Sequence, residues 1–340
     1  MSIRCPNCGS FSCVISAERV LDIASTLYTK CRACCDLTLL KTSKIDLSGM
    51  DFGDFRCTEC GRSPLDAVMA HVLAISTAHK ERHALSLREV GTPLLSPGVP
   101  TNAPPHIGYH NLLLLTNQIL IADASDEILR EVPEVAGVIF GDAKRVIGLA
   151  HTSARPYTCR LLAGCDTRAD MIASAYGELL IYKSQSKIHI EHNNTAKMAK
   201  LGALPIAGRV VLDGLAGPGS LGLMSSLMGA QKVILNDAWL PAVENAFLNL
   251  RVNREMLGIR KIERASMTNR GSRNTPQLFC TATTKHGIIE LFHGDFHAFN
   301  IRDSEAEIVL LDPFPGEEGQ FRAIDEEVRK NNPKADIIYF

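Results

Sequence analysis

Short, unbroken apolar runs alternate with longer segments of helical periodicity through the second half of the chain. Val210-Val211-Leu212, Lys232-Val233-Ile234-Leu235 and Ile308-Val309-Leu310-Leu311 are each apolar along most or all of their length, the pattern of strands covered on both faces of a parallel sheet. Between the first two, residues 214–222 are rich in glycine and run into an apolar segment at 223–227, which reads as strand, tight turn and helix start. A longer helical pattern fills 242–253, another fills 317–330, and strand-like apolar residues occupy 335–340. This alternation predicts an α/β domain with a doubly wound parallel sheet over residues 196–340.

The first half is patterned differently. Residues 106–195 mix short β-rich runs at 118–122, 137–140, 145–149, 179–182 and 187–190 with one acidic helix at 125–131, which predicts a small α+β domain. Residues 63–105 read as a helical segment followed by a linker from residue 91, where Pro, Gly and Ser are too frequent for regular structure. Residues 264–285, with Arg264, Arg270, Arg273 and Lys285 among Thr, Ser and Asn, read as a basic loop between strands. Residues 1–62 form a cysteine-rich module.

Composition narrows the classes. A chain of 340 residues is long enough for two or three modest domains. Its net charge of −1 gives no global basic field for nucleic acid, so any such contact rests on local patches; Arg155, Arg160, Arg168, Lys183, Lys187, Lys197 and Lys200 make the middle segment one. With no signal-peptide pattern at the start and no apolar run of about 18 residues, the expectation is a cytoplasmic protein with no membrane span. Eleven cysteines in such a chain point to metal ligation rather than disulfides. Cys5/Cys8, Cys31/Cys34 and Cys57/Cys60 are three C-x-x-C knuckles. Joining Cys5, Cys8, Cys31 and Cys34 gives C-x2-C-x22-C-x2-C, a zinc-ribbon spacing with four thiolates for a closed structural site. Cys57 and Cys60 then need two more ligands, with Cys13, Cys35 and His71 the nearby candidates. Cysteine count alone leaves an iron–sulfur cluster open. Cys159, Cys165 and Cys280 have no partner spacing and read as ordinary buried thiols.

Acidic residues mark four strand ends: Asp213, Asp237, Asp295 and Asp312. The turn after Asp213 is neither G-x-G-x-x-G nor a P-loop ending in G-K-[ST], so no lysine waits there for phosphates. Glycines at 214, 217, 219 and 222 let a ligand approach the backbone closely. His293 and His297, which flank Asp295, read as hydrogen-bonded scaffolding or pocket lining rather than metal ligands.

In this order, the four acidic strand ends resemble the class I S-adenosylmethionine-dependent methyltransferases. The resemblance implies a Rossmann-like domain in which Asp213, Gly214, Gly217 and Gly219 flank the methionine moiety, Asp237 holds the ribose and Asp295 faces the adenine. Residues 140–315 further resemble the archaeal and eukaryotic tRNA guanosine methyltransferases and the wybutosine-pathway aminocarboxypropyl transferases. The likeness rests on Arg155-Pro156, Leu162-Ala163-Gly164, Tyr176-Gly177-Glu178-Leu179 and Asn194-Thr195-Ala196-Lys197. That family has N-T-E-R where this chain has Asn194-Thr195-Ala196-Lys197, and N-L-P where it has Asp312-Pro313-Phe314-Pro315. The latter resembles the exocyclic-amine methyltransferases, including the tRNA guanine N2-dimethylating enzymes. The implied activity is transfer to a base amino group in RNA, most plainly tRNA. Asp312 would orient the amine and the Pro313-Phe314 corner would hold the base. The alternative is a protein methyltransferase that docks its polypeptide partner through the zinc module. A class I domain usually adds an antiparallel hairpin beyond the strand that 335–340 would form, so the sheet is expected to end on an apolar edge.

Overall fold

The protein's computed structural model describes residues 3–78, 85–143, 159–188, 195–265, 276–299, 304–313, 324–326, 328–330 and 332–340. Its helices are α1 (Ala17–Ile23), α2 (Leu65–Ala78), α3 (Leu87–Val90), α4 (Ile119–Asp123), α5 (Ser125–Glu131), α6 (Thr195–Gly202), α7 (Ser220–Leu227) and α8 (Leu240–Val252). Its strands are β1 (Ser63–Pro64), β2 (Thr92–Leu95), β3 (His106–Ile107), β4 (Leu112–Thr116), β5 (Val135–Phe140), β6 (Arg160–Gly164), β7 (Thr167–Ser174), β8 (Gly177–Ser184), β9 (Val210–Asp213), β10 (Lys232–Asp237), β11 (Lys261–Arg264), β12 (Gln277–Thr283), β13 (Ile288–His293), β14 (Ile308–Leu311) and β15 (Asp336–Tyr339).

The apolar runs of the second half lie side by side in a sheet of order β11-β12-β13-β10-β9-β14-β15. From β13 to β15 all pairings are parallel. Numbered from β9, these five strands read 3-2-1-4-5, the doubly wound Rossmann-like order, which reverses direction between β9 and β14. Alternate side chains feed two cores. Val211, Val233, Leu235, Leu291 and Leu310 pack with α7 and α8, while Leu212, Ile234, Val309 and Leu311 pack with Phe296, Ile324 and Val328. Both faces are therefore covered, which is why these strands carry no polar alternation.

Several local expectations are corrected. Residues 264–285 are not one loop: β12 occupies 277–283 and forms an antiparallel hairpin with β11 beside β13. The antiparallel pair thus extends the sheet on the edge opposite β15. The 118–122 run is helical, as α4, because Thr116 Oγ1 accepts the Gln118 N–H (3.1 Å) and turns the chain out of β4. An apolar run this short has no periodicity to separate the two states. The 91–105 stretch holds β2, paired antiparallel with β4; it is an edge strand, where Pro93 is tolerated. Residues 185–188 turn instead of extending as a strand, with Lys187 and Ile188 N–H both donating to the Ser184 carbonyl. The runs expected at 145–149 and 189–190 lie outside the described residues.

In the first half, β2-β4-β5-β6 make a four-stranded sheet and β7–β8 a hairpin. Ile3, Val14, Ala17 and Val20 share one core with Val68, Val72, Leu114, Val138, Tyr182 and with Leu248 and Val252 of α8. The hairpin is joined to α8 by a ladder of asparagines. Asn245, Asn249 and Asn253 recur every fourth residue and so share one helix face. Asn253 accepts the Leu180 N–H and donates to its carbonyl (both 2.8 Å). Asn249 does the same at Tyr182 (2.7 and 3.0 Å), and Asn245 accepts the Ser184 N–H (3.0 Å). The amides thereby pair the backbone edge of β8 that faces away from β7.

Candidate cofactor site and cysteine clusters

The carboxyl ends of β9, β10, β13 and β14 converge at the point where strand order reverses. Asp237 closes β10, and both of its oxygens are engaged by backbone: Oδ2 accepts the Gly217 N–H (2.8 Å) and Oδ1 the Trp239 N–H (2.7 Å). A carboxylate offers about four lone-pair positions, so two fixed amides leave capacity for two further donors. Burial pushes the Asp237 carboxyl above the usual carboxylate range, against these two amides. Gly217 has a φ of +53° and a Cβ there would meet nothing within 4 Å, so its backbone faces open space beside that carboxylate.

The other glycines serve packing. A Cβ on Gly214 would meet the Phe296 ring at 2.3 Å, and one on Gly222 would meet Leu235 Cδ2 at 2.1 Å. Gly219 takes the left-handed φ of +89° that begins α7. Of the four, Gly217 alone has open space where a Cβ would stand.

Asp213 is fully buried, its Oδ2 accepting the Gly222 N–H at 2.9 Å. Burial pushes its carboxyl up to about 8; the charges of Asp312 and Asp237 add to that, while the Gly222 N–H and Lys197 oppose it. Asn236 donates to the Gly214 and Gly294 carbonyls (3.3 and 3.1 Å) and so ties the loops after β9 and β13 together. Sequence reading passed over it as the neighbour of Asp237. Asp213 Oδ1 and Asn236 Oδ1 are buried without a hydrogen-bond partner among the described residues. Trp239, the chain's single tryptophan, stands half exposed beside Asp237.

Asp295 is exposed, and its Oδ1 accepts the His297 N–H (3.0 Å) at the start of a short 3-10 turn. His293 Nε2 lies 3.2 Å from the Ala238 carbonyl. Asp312 directly follows β14, and its Oδ2 accepts from Lys197 Nζ on α6 at 2.6 Å. Lys197 thus reaches the acidic strand ends from the start of α6, while Asn194 lies outside the described residues. Pro313 is half-buried next to Asp312; Phe314 lies outside the described residues.

The cysteines assemble differently from the expected ribbon. Cys31 and Cys34 join Cys57 and Cys60, with Sγ–Sγ distances of 3.5 Å (Cys31–Cys57) and 3.4 Å (Cys34–Cys60). Cys5 and Cys8 join Cys13 and Cys165 instead. The expected Cys5/Cys8/Cys31/Cys34 set is therefore replaced, and Cys165, read as an ordinary thiol, belongs to a cluster. His71 stacks on Phe52 (4.6 Å between centroids) and Cys35 Sγ lies near the Phe55 carbonyl; neither enters a cluster. The spacers 9–30 and 35–56 have the same length, so spacing alone could not choose between the two pairings.

The expected basic patch of the middle segment is largely committed internally. Arg168 is buried in an ion pair with Asp170, Lys187 donates to Asn7 Oδ1, and Lys197 and Lys200 bond Asp312 and the Tyr339 carbonyl. Arg155 lies outside the described residues. A cavity of about 520 Å³ opens elsewhere, between the Cys5–Gly9 turn, α8 and the β11–β12 hairpin, and three arginines (Arg4, Arg251, Arg264) and one acid (Glu244) line it. The Arg264 guanidinium lies 4.7 Å from the Phe279 ring centre and 5.6 Å from that of Phe247. No helix among the described residues is long and apolar enough to cross a membrane.

No protein-family profile and no curated protein matches the chain. Among solved structures it is similar to Trm1 from Pyrococcus horikoshii in complex with S-adenosylmethionine, at 19% identity over 49% of this chain and 40% of that one, with a TM-score of 0.35. It is similar to the M. jannaschii tRNA m1G37 methyltransferase at 14% identity over 78% and 62%, with a TM-score of 0.41. It is similar to P. horikoshii TYW2 in complex with MeSAdo at 15% identity over 79% of each, with a TM-score of 0.43. The chain spans 40% and 62% of the length of the Trm1 and m1G37 structures.

Proposed function

We propose that this chain is an S-adenosylmethionine-dependent transferase acting on an amino group of an RNA base. One observation carries the reading: at the mouth of a 3-2-1-4-5 sheet, the Asp237 carboxylate is held by the Gly217 and Trp239 amides beside an open left-handed glycine. The residues present suit the cofactor. Asp237 offers acceptors of the right type for a pair of ribose hydroxyls, Gly217 leaves room against the backbone, and two buried oxygens, on Asp213 and Asn236, have no hydrogen-bond partner among the described residues. Bound there, S-adenosylmethionine would supply an electrophilic carbon on its sulfonium.

The chain's own contribution is positioning. Asp312 would accept a hydrogen bond from the target amine and turn its lone pair toward the cofactor side. Lys197, 2.6 Å from Asp312 Oδ2, is a positioning residue that fixes this carboxylate from α6. Pro313 and Phe314 would shape the seat of a base taken out of its stack. Arg4, Arg251 and Arg264 around the large cavity offer phosphate contacts, and the Arg264–Phe279 pair offers a stacking surface. Cys31, Cys34, Cys57 and Cys60 supply four thiolates for a structural zinc.

Transfer of labelled methyl from S-adenosylmethionine into total RNA against total protein tests the reading. Label in RNA that falls with Asp312→Asn supports it. Label in protein alone replaces it with a polypeptide acceptor docked through the cysteine module. No label in either, with cofactor binding intact, refutes methyl transfer to RNA.

A further inference from the structure

The geometry points to a second metal site, held by Cys5, Cys8, Cys13 and Cys165, that clamps the start of the chain to the β6–β7 connection. All four sulfurs lie within 4.8 Å of one another. Cys5 and Cys165 Sγ are 3.7 Å apart, and Cys8 and Cys13 Sγ 3.2 Å. A tetrahedral zinc with Zn–S bonds of about 2.3 Å places its sulfurs about 3.8 Å apart. A disulfide needs about 2.05 Å, and all four cysteines are free.

The turn that presents Cys5 and Cys8 is a second, independent sign. Cys5 N–H donates to the Ser10 carbonyl (2.8 Å), Gly9 N–H donates to the Cys5 carbonyl (3.0 Å), and Gly9 has a φ of +76°. At the other cluster Cys57 N–H donates to Arg62 (2.9 Å), Gly61 N–H donates to Cys57 (2.8 Å), and Gly61 has a φ of +70°. Two knuckles with the same backbone hydrogen bonds each meet two further thiols. Cys165 comes from a turn fixed by Gly164, with a φ of +79°, where a Cβ would meet the Ala136 carbonyl at 2.4 Å.

Outer partners hold this arrangement in place. Thr167 Oγ1 lies 3.2 Å from Cys5 Sγ. Asn7, between the knuckle cysteines, donates to Asp166 Oδ1 (2.9 Å) and Thr167 Oγ1 (2.8 Å). Asp166 Oδ2 in turn accepts from Ser184 Oγ and the Ser186 N–H (2.8 and 2.7 Å). Four thiolates around a divalent ion leave a net charge of about −2, and Arg4, Arg251 and Arg264 line the cavity that Cys5 and Cys8 also line. An all-thiolate tetrahedral set favours zinc among the common divalent ions. The ion would tie residues 5–13 to residue 165 and so fix one wall of that arginine-lined cavity.

Elemental analysis of the full chain, with cobalt(II) substitution as a second readout, tests the site. The parent should hold two zinc ions per chain, and Cys165→Ser, Cys8→Ser and Cys57→Ser one each, while Cys159→Ser keeps both. Cys8 is exposed, so Cys8→Ser retains a readable fold if the buried Cys165→Ser does not. Amide exchange over residues 5–15 should rise in Cys8→Ser and stay at the parental level in Cys57→Ser. The site is refuted if Cys57→Ser alone removes all metal, or if Cys8→Ser and Cys165→Ser keep the parental content. It is equally refuted if iron with inorganic sulfide occupies these four thiols.

Discussion

Replacing Asn249 by Leu probes the asparagine ladder, because Leu keeps the branched skeleton of four side-chain heavy atoms and removes the amide's donor and acceptor. Asn249 is fully buried. Its loss strands the Tyr182 N–H, the Tyr182 carbonyl and the Pro218 carbonyl, now bonded at 2.7, 3.0 and 2.9 Å. Each buried group left unpaired costs roughly 1–3 kcal/mol, so the variant should lose about 3–9 kcal/mol, a large share of the ~5–15 kcal/mol that holds a typical domain folded. Asn253→Leu strands both polar groups of Leu180, and Asn245→Leu only the Ser184 N–H. The expected order of destabilisation is therefore Asn249, then Asn253, then Asn245. Urea unfolding followed by circular dichroism reads all three. Because Asn249 also holds the Pro218 carbonyl in the glycine turn, its variant should bind S-adenosylmethionine more weakly at temperatures where it is still folded. A loss below about 1 kcal/mol for Asn249→Leu, or a larger loss for Asn245→Leu, would refute the ladder as the joint between hairpin and helix.

Two further outcomes follow from the acidic strand ends. Asp312→Asn and Lys197→Met should each lower kcat by about tenfold or more with KM and cofactor affinity little changed. Lys197→Arg should restore most of the rate, which a merely structural lysine would not require; a rise in KM at constant kcat counts against this placement. Asp213 has its folded-state pKa raised to about 8 from an ordinary 3.8, so the folded state binds this proton more tightly than the unfolded chain. Its contribution is fully present below about pH 4 and is lost as pH rises toward about 8. Asp213→Asn should therefore match the parent near the acid end and gain on it, by on the order of 5 kcal/mol, toward the alkaline end. Thermal unfolding across that range checks it, and parallel profiles for the two proteins would contradict it.

What the sequence disclosed follows from the range of each interaction. The strands 210–213, 232–237 and 308–311 and the turn between the first two are set by local patterning and burial on both faces, and they are where the residues placed them. The glycine turn was legible as a turn. Which glycine borders open space was not, because Gly214 answers to Phe296 and Gly222 to Leu235, contacts that only the folded sheet creates. The cysteine pairing failed for the same reason: two spacers of equal length gave two solutions, and Cys165 meets Cys5 across 160 positions. The four-residue period of Asn245, Asn249 and Asn253 within an apolar helix was a signal that could have been read, since buried amides at one face need backbone partners. Lys197 was read as part of a basic patch and for what it replaced, although a lysine just ahead of the strand-end acids could have been paired with one of them.

Calorimetric titration of S-adenosylmethionine into the full chain and into Asp237→Ala tests the central claim most directly, with quenching of the single tryptophan, Trp239, as an independent readout. The parent should bind, and the variant should lose about 1.5–3 kcal/mol, tenfold or more in affinity, as the charge-assisted bonds to a hydroxyl pair disappear. A parent that does not bind, or a folded Asp237→Ala that binds as tightly as the parent, would contradict the account.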